Sequence, residues 1–146
     1  MRRIMILITI GLATASLTGN AAAGEPLSKK QFLKKANAIC RNVDRQLAVA
    51  AEDVFAGLDR DEPPPPEALA AYAQEVVPIL REGIEEMGDL EPPRRGQQRM
   101  ARILGAYATA IDIIEADPNR LATGEDPFKA SDMLAKNYGL EDCAPD

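Results

Sequence analysis

The chain has 146 residues, 46% hydrophobic and only 4% aromatic, with 11 Pro, 10 Gly, 2 Cys, no Trp and no His, a length that suits one domain. Without histidine, the Ser/His/Asp triad, the Cys/His dyad, His-ligated zinc or haem and the di-iron Glu-x-x-His pair are all excluded. Lys and Arg number 17 against 23 Asp and Glu, a net charge of −6, and that sign disfavours nucleic acid as a partner.

In chain order, Arg2 and Arg3 precede an apolar run from Ile4 to about Leu17 and then Ala21-Ala22-Ala23-Gly24. These are the positive n-region, h-region and Ala-x-Ala site of a secretory signal. The apolar run is about 14 residues, short of the roughly 20 of a spanning helix, so cleavage after Ala23 is expected rather than a retained anchor. The sequence thus divides into a signal over residues 1–23 and one helical domain over residues 24–146. Losing Arg2 and Arg3 without losing an acid makes the mature chain more acidic still. No cysteine stands near the cleavage site, so a lipid anchor is not expected, and the expected location is the cell envelope, the periplasm or the cell exterior. Cys40 and Cys143 both remain, and an even pair in an exported chain is read first as a disulfide. A pair of free redox thiols would need adjacency or activation, and neither cysteine sits in a Cys-x-x-Cys.

Ser28 followed by Gln31 forms a capping box, with Leu27 and Phe32 as a hydrophobic staple, so the first helix is predicted from Lys29. Phe32, Ala36, Ile39, Val43, Leu47, Ala50, Val54 and Leu58 recur at helical steps, one face of a helix of about 30 residues. Pro63 to Pro66 read as a stiff interhelix spacer. A second stripe runs Leu69, Tyr72, Val76, Leu80, Ile84 and Met87, and Pro78 inside it predicts a kink through the hydrogen bond it denies Gln74. After the stop at Pro92-Pro93, a third helix carries Met100, Ile103, Leu104, Tyr107, Ile111 and Ile114 and breaks at Asp117-Pro118. Asp126 as N-cap with Pro127 at N1 predicts a short fourth helix bearing Phe128, Leu134 and Tyr138. Gly139 then supplies a left-handed cap with Leu140 as its apolar partner. No segment alternates with period two, so strands are not predicted.

Short connections between amphipathic helices favour antiparallel neighbours, hence an all-α, up-down-up-down four-helix bundle with a long first helix. Cys40 lies roughly 27 Å below the top of the first helix, and the fourth helix descends about 18 Å before its tail continues, so the two sulfurs arrive at similar heights. Charge placement agrees with this order: Lys29, Lys30, Lys34 and Lys35 fall beside Glu85, Glu86, Asp89 and Glu91, and Arg95, Arg99 and Arg102 fall opposite Glu82 and Glu86.

Glu82, Glu85, Glu86 and Asp89 have oxygen ligands suited to calcium or magnesium, but no binding loop accompanies them, and a solvated, salt-bridged face is the expectation. The lysines of the first helix suit an anionic lipid surface, yet neighbouring acids cancel most of that charge, so membrane contact is not the expectation. Ser28 and Ser131 are the serines of the mature chain, and neither has a base or an elbow motif. Tyr72, Tyr107 and Tyr138 fall on apolar stripes, where their bodies suit a core and their hydroxyls its rim. Gly83 and Gly105, costly inside helices, mark either close packing or a cavity wall.

Ala36-Asn37-Ala38-Ile39-Cys40, the Leu90-Glu91-Pro92-Pro93 break and the ending Tyr138-Gly139-Leu140-Glu141-Asp142-Cys143 together resemble an uncharacterised family of small exported proteins and lipoproteins of actinobacteria. The resemblance spans about Leu27 to Cys143 and implies a helical fold with a disulfide between Cys40 and Cys143. It implies no activity and no catalytic residues. The expected function is that of an exported, non-enzymatic binding or interaction module, without cofactor or metal, whose partner is an envelope or extracellular protein or a small ligand. The alternative is a carrier of a small apolar ligand in an interhelical pocket at Tyr72, Pro78 and Tyr107. An enzyme using Glu82 or Glu86 would need two acids converging in a cleft.

Overall fold

The computed structural model describes residues 27–59 and 61–144. The signal read over residues 1–23, with its cleavage after Ala23, lies outside these residues. Helices α1 (Lys29–Val54), α2 (Pro66–Gly88), α3 (Gln97–Ala116) and α4 (Lys129–Tyr138) form an up-down-up-down bundle, with no strand among the described residues. Short 3-10 turns at Arg94–Gly96, Pro118–Ala122 and Glu141–Cys143 precede α3, follow α3 and end the described chain.

The helix ends follow local chemistry. Ser28 Oγ accepts from the Gln31 backbone N–H at 3.3 Å while Gln31 Oε1 accepts from the Ser28 N–H at 3.1 Å, the reciprocal pairing of a capping box. α1 stops at Val54, short of the length its apolar stripe predicts. Gly57 turns the chain at φ 80°, Phe55 packs on Tyr72 with ring centroids 5.0 Å apart, and Leu58 is left exposed. The four-proline run is only partly a spacer, because Pro66 is already the first residue of α2, where a missing N–H costs nothing. Pro78 lies inside α2, which continues unbroken to Gly88. α4 starts two residues later than predicted: Asp126 Oδ1 accepts from the Phe128 N–H at 2.9 Å and forms a turn ahead of the helix. At its other end Gly139 sits at φ 102°. Leu140 N–H reaches Ala135 O at 3.0 Å and Gly139 N–H reaches Lys136 O at 3.1 Å, the two bonds of a Schellman motif.

The apolar stripes assemble into two core clusters. The lower one gathers Phe32, Ala36, Cys40, Met87, Met100, Ile103, Ala135, Tyr138, Leu140 and Cys143; the upper one is Ala73, Val77, Ile111 and Ile114, with Leu80, Ile84 and Phe128 against it. Within α1 the burial is interrupted. Phe32, Ala36, Cys40 and Ala50 are buried, whereas Val43 and Leu47 between them are only half-buried.

That interruption follows from the order of the helices. α1 packs on α2, α2 on α3 and α3 on α4, but no Cα of α1 comes within 8 Å of a Cα of α4. At the lower end Phe32 and Tyr138 reach across edge to face, with centroids 6.1 Å apart. The rest of the closure comes from the C-terminal turn. Cys40 and Cys143 are joined by a disulfide across 103 residues, Asn37 accepts from the Asp142 N–H at 3.2 Å and donates to Gly139 O at 3.4 Å, and Arg41 pairs with Asp142. Electrostatic pairing therefore differs from the expectation of lysines beside the acids of α2. Among the described residues the ion pairs are Arg41 with Asp142, Arg81 with Asp112 and Glu115, and Arg120 with Glu125. Long side chains near helix ends stay solvated when no neighbour fixes their geometry, and Lys29 instead lies over the Tyr138 ring at 5.5 Å.

Candidate functional site

Between the two core clusters, on the side where α1 and α4 stand apart, lies a cavity of about 440 Å³. Its apolar wall is Val43 and Leu47 from α1, Leu80, Ile84 and Met87 from α2, and Phe128 ahead of α4. The disulfide sulfurs' residues, Cys40 and Cys143, form its lower end. Gly83, also on the wall, explains how α1 comes this close to α2. A Cβ there would lie 2.6 Å from Val43 Cγ2, so the position is reserved for close packing of the two helices. Gly105, by contrast, faces open space.

The polar part of the wall is acidic. Asp44 of α1, Asp126 of the loop before α4 and Asp132 of α4 line it together with Tyr107 of α3, and among the described residues no Lys or Arg does. The Tyr107 hydroxyl lies 3.0 Å from Asp132 Oδ1 and 2.5 Å from the Cys143 carbonyl. A phenol has one proton, so with Asp132 ionised Tyr107 can donate to only one of these two acceptors.

Burial first, then the charge of Asp132, the hydrogen bond to it and the charge of Asp44, push the Tyr107 phenol far above its ordinary value. Asp132 is itself held above the usual carboxylate range by burial, with Asp126 adding to the shift and the Tyr107 hydrogen bond opposing it. Asp44 is raised by burial and then by Asp142. Asp44 and Asp132 are thus easier to protonate than a free carboxylate, chiefly because burial at the edge of an apolar space disfavours the charged form.

The three residues of the expected pocket separate. Tyr107 lines the cavity. Tyr72 does not, because its ring is engaged with Phe55 near the upper end of α1. Pro78 does not either, since it lies on the exposed face of α2 while its neighbours Val76 and Val77 point into the bundle. Both are therefore removed from the candidate site. Cys40 and Cys143 form the expected disulfide and in addition bound the cavity. Asp44, Asp126 and Asp132 were not singled out from sequence. The available signal was modest: Asp44 stands four residues after Cys40 on the same helical face, and Asp132 follows Ser131, a buried polar residue on a short helix. Glu82 and Glu86 do not line the cavity. Among the described residues no group of three or more His, Cys, Asp or Glu side chains is placed to hold a metal ion, and no helix is long and apolar enough to cross a membrane.

No family model, curated protein or solved structure matches this chain.

Proposed function

We propose that this protein is an exported binding module that carries a small, largely apolar ligand in the cavity between α1, α2 and the α4 side of the bundle. The observation that carries the reading is the cavity itself. Its volume of about 440 Å³ falls in the range of roughly 300–1,000 Å³ typical of small-molecule sites, which are mostly apolar with a few placed polar groups. Export is supported by the Arg2-Arg3, Ile4 to Leu17 and Ala21-Ala22-Ala23 sequence and by a disulfide, a bond compatible with an oxidising compartment. A carrier is favoured over a protein-docking module because the large exposed apolar residues, Val49, Leu58, Ile113 and Met133, are single exposures on separate elements rather than one contiguous patch.

The test is a titration with N-phenyl-1-naphthylamine, a neutral dye whose fluorescence rises in apolar surroundings. The expected result is saturable enhancement at one dye per chain, lost in Leu47→Trp, which fills the cavity from its α1 wall, with the thermal midpoint retained. Enhancement that never saturates, or that Leu47→Trp leaves unchanged, would contradict the reading.

A further inference from the structure

We infer that the cavity selects an organic ammonium ion, a small apolar body ending in a protonated amine, with Asp44 and Asp132 receiving the ammonium group and Val43, Leu47 and Ile84 receiving the body. The inference rests on the reading of the cavity as a ligand site and adds the class of ligand.

The wall sorts into an apolar surface and an acidic one, and its charge is of one sign. Asp44, Asp126 and Asp132 line it from α1, the loop before α4 and α4 itself, without a lysine or arginine among the described lining residues. Of the two arginines of α1 near this wall, Arg41 is engaged by Asp142 and Arg45, next to Asp44 in the chain, donates to Asn42 Oδ1; neither lines the cavity. Beside this apolar surface Asp126 repels Asp132, and Asp142 repels Asp44. A monocation relieves that repulsion, and an anion adds to it.

Hydrogen-bond supply points the same way. Asp132 Oδ1 and the Cys143 carbonyl share one phenolic proton from Tyr107, and ionised carboxylates only accept. The site is therefore rich in acceptors and short of donors. An ammonium brings three N–H donors and a positive charge, an alcohol brings one donor and no charge, and a carboxylate brings neither. A bare or hydrated metal ion would leave the apolar wall without a partner, and the acids are not arranged as a metal-binding group.

The matched probes are octylammonium, 1-octanol and octanoate, which share a chain and differ in the head group, titrated into the oxidised ¹⁵N-labelled protein. Octylammonium is expected to shift the amides of Val43, Gly83 and Phe128, with a Kd at least tenfold below that of 1-octanol, and octanoate to bind most weakly. In the double variant Asp44→Asn with Asp132→Asn the tenfold preference disappears while 1-octanol binding persists. In the wild-type protein the preference narrows from pH 7 to pH 4, as Asp44 and Asp132, both raised above the ordinary carboxylate value, take up protons. Equal or tighter binding of 1-octanol or octanoate at the same amides, or an ammonium preference unchanged between pH 7 and pH 4, would overturn the ammonium inference and leave the cavity reading in place. No shift at these amides with any of the three probes would overturn both.

Discussion

The two ends of the seam between α1 and α4 are built differently. At the lower end the helices are joined by the Cys40–Cys143 disulfide, by Asn37 and Arg41 holding the C-terminal turn, and by Phe32 against Tyr138. Higher up, the stripe of α1 continues through Val43 and Leu47, but no fourth helix arrives to cover it, and the cavity occupies the gap. The difference teaches that one apolar stripe can serve as core and as binding wall in turn. Which it becomes depends on the length of α4, ten residues against the 26 of α1, and not on the stripe itself.

Breaking the lower closure has the largest expected effect. In the chain-entropy model a loop of about 100 residues contributes on the order of 4–5 kcal/mol, so the double variant Cys40→Ala with Cys143→Ala should lose more than about 10 °C of thermal midpoint. Calorimetry with and without reductant checks this, and an unchanged midpoint would show the bond to be energetically idle. Next, Gly83→Ala sets a methyl against Val43 Cγ2, whose β-branched side chain is stiff. Forcing such a contact costs about 1–3 kcal/mol, partly offset by the better helix propensity of alanine, and Val43 should shift into the cavity. Resistance to chemical denaturant and dye binding should both weaken.

Tyr138 offers a change of opposite sign. Its hydroxyl is buried without a hydrogen-bond partner among the described residues and abuts Gly96, where a Cβ would lie 2.1 Å away. Tyr138→Phe removes an unsatisfied group, so stability should rise by about 1 kcal/mol, and a fall would mean that the hydroxyl has a partner. The smallest effect is on pH dependence. Asp44 and Asp132 have folded-state values raised above their ordinary ones, so their contribution is most favourable when protonated at low pH and is lost as pH rises through those raised values. Relative to wild type, the Asp44→Asn with Asp132→Asn variant should be slightly more stable at pH 7, by less than about 1 kcal/mol after solvent screening. The difference should vanish near pH 3, as melting curves across that range would reveal.

Much of the lower region is legible in the sequence because its signals are local. Ser28 with Gln31, Gly139 with Leu140 and the heptad-like stripes each specify a helix end or face through residues a few positions apart. The disulfide is legible through two cysteines and a helix order that brings them level. The cavity is not legible in the same way. It arises from where α4 begins relative to α1, a long-range property, so Val43 and Leu47 look the same as Phe32 and Ala36 in the periodicity. Pro78 and Tyr72 were candidates by their chemistry, yet the bundle turns the first toward solvent and engages the second with Phe55. The acids of the site escaped notice because Asp44 and Asp132 sit at stripe edges, where an aspartate ordinarily marks the solvated side of a helix.

The central claim is that the open part of the seam holds a ligand's apolar body. Intermolecular nuclear Overhauser effects between octylammonium and the methyl-labelled protein test it most directly. The account predicts contacts from the ligand chain to the methyls of Val43, Leu47 and Ile84. Contacts confined to the exposed methyls of Val49, Ile113 and Met133, or none at saturating ligand, would contradict it.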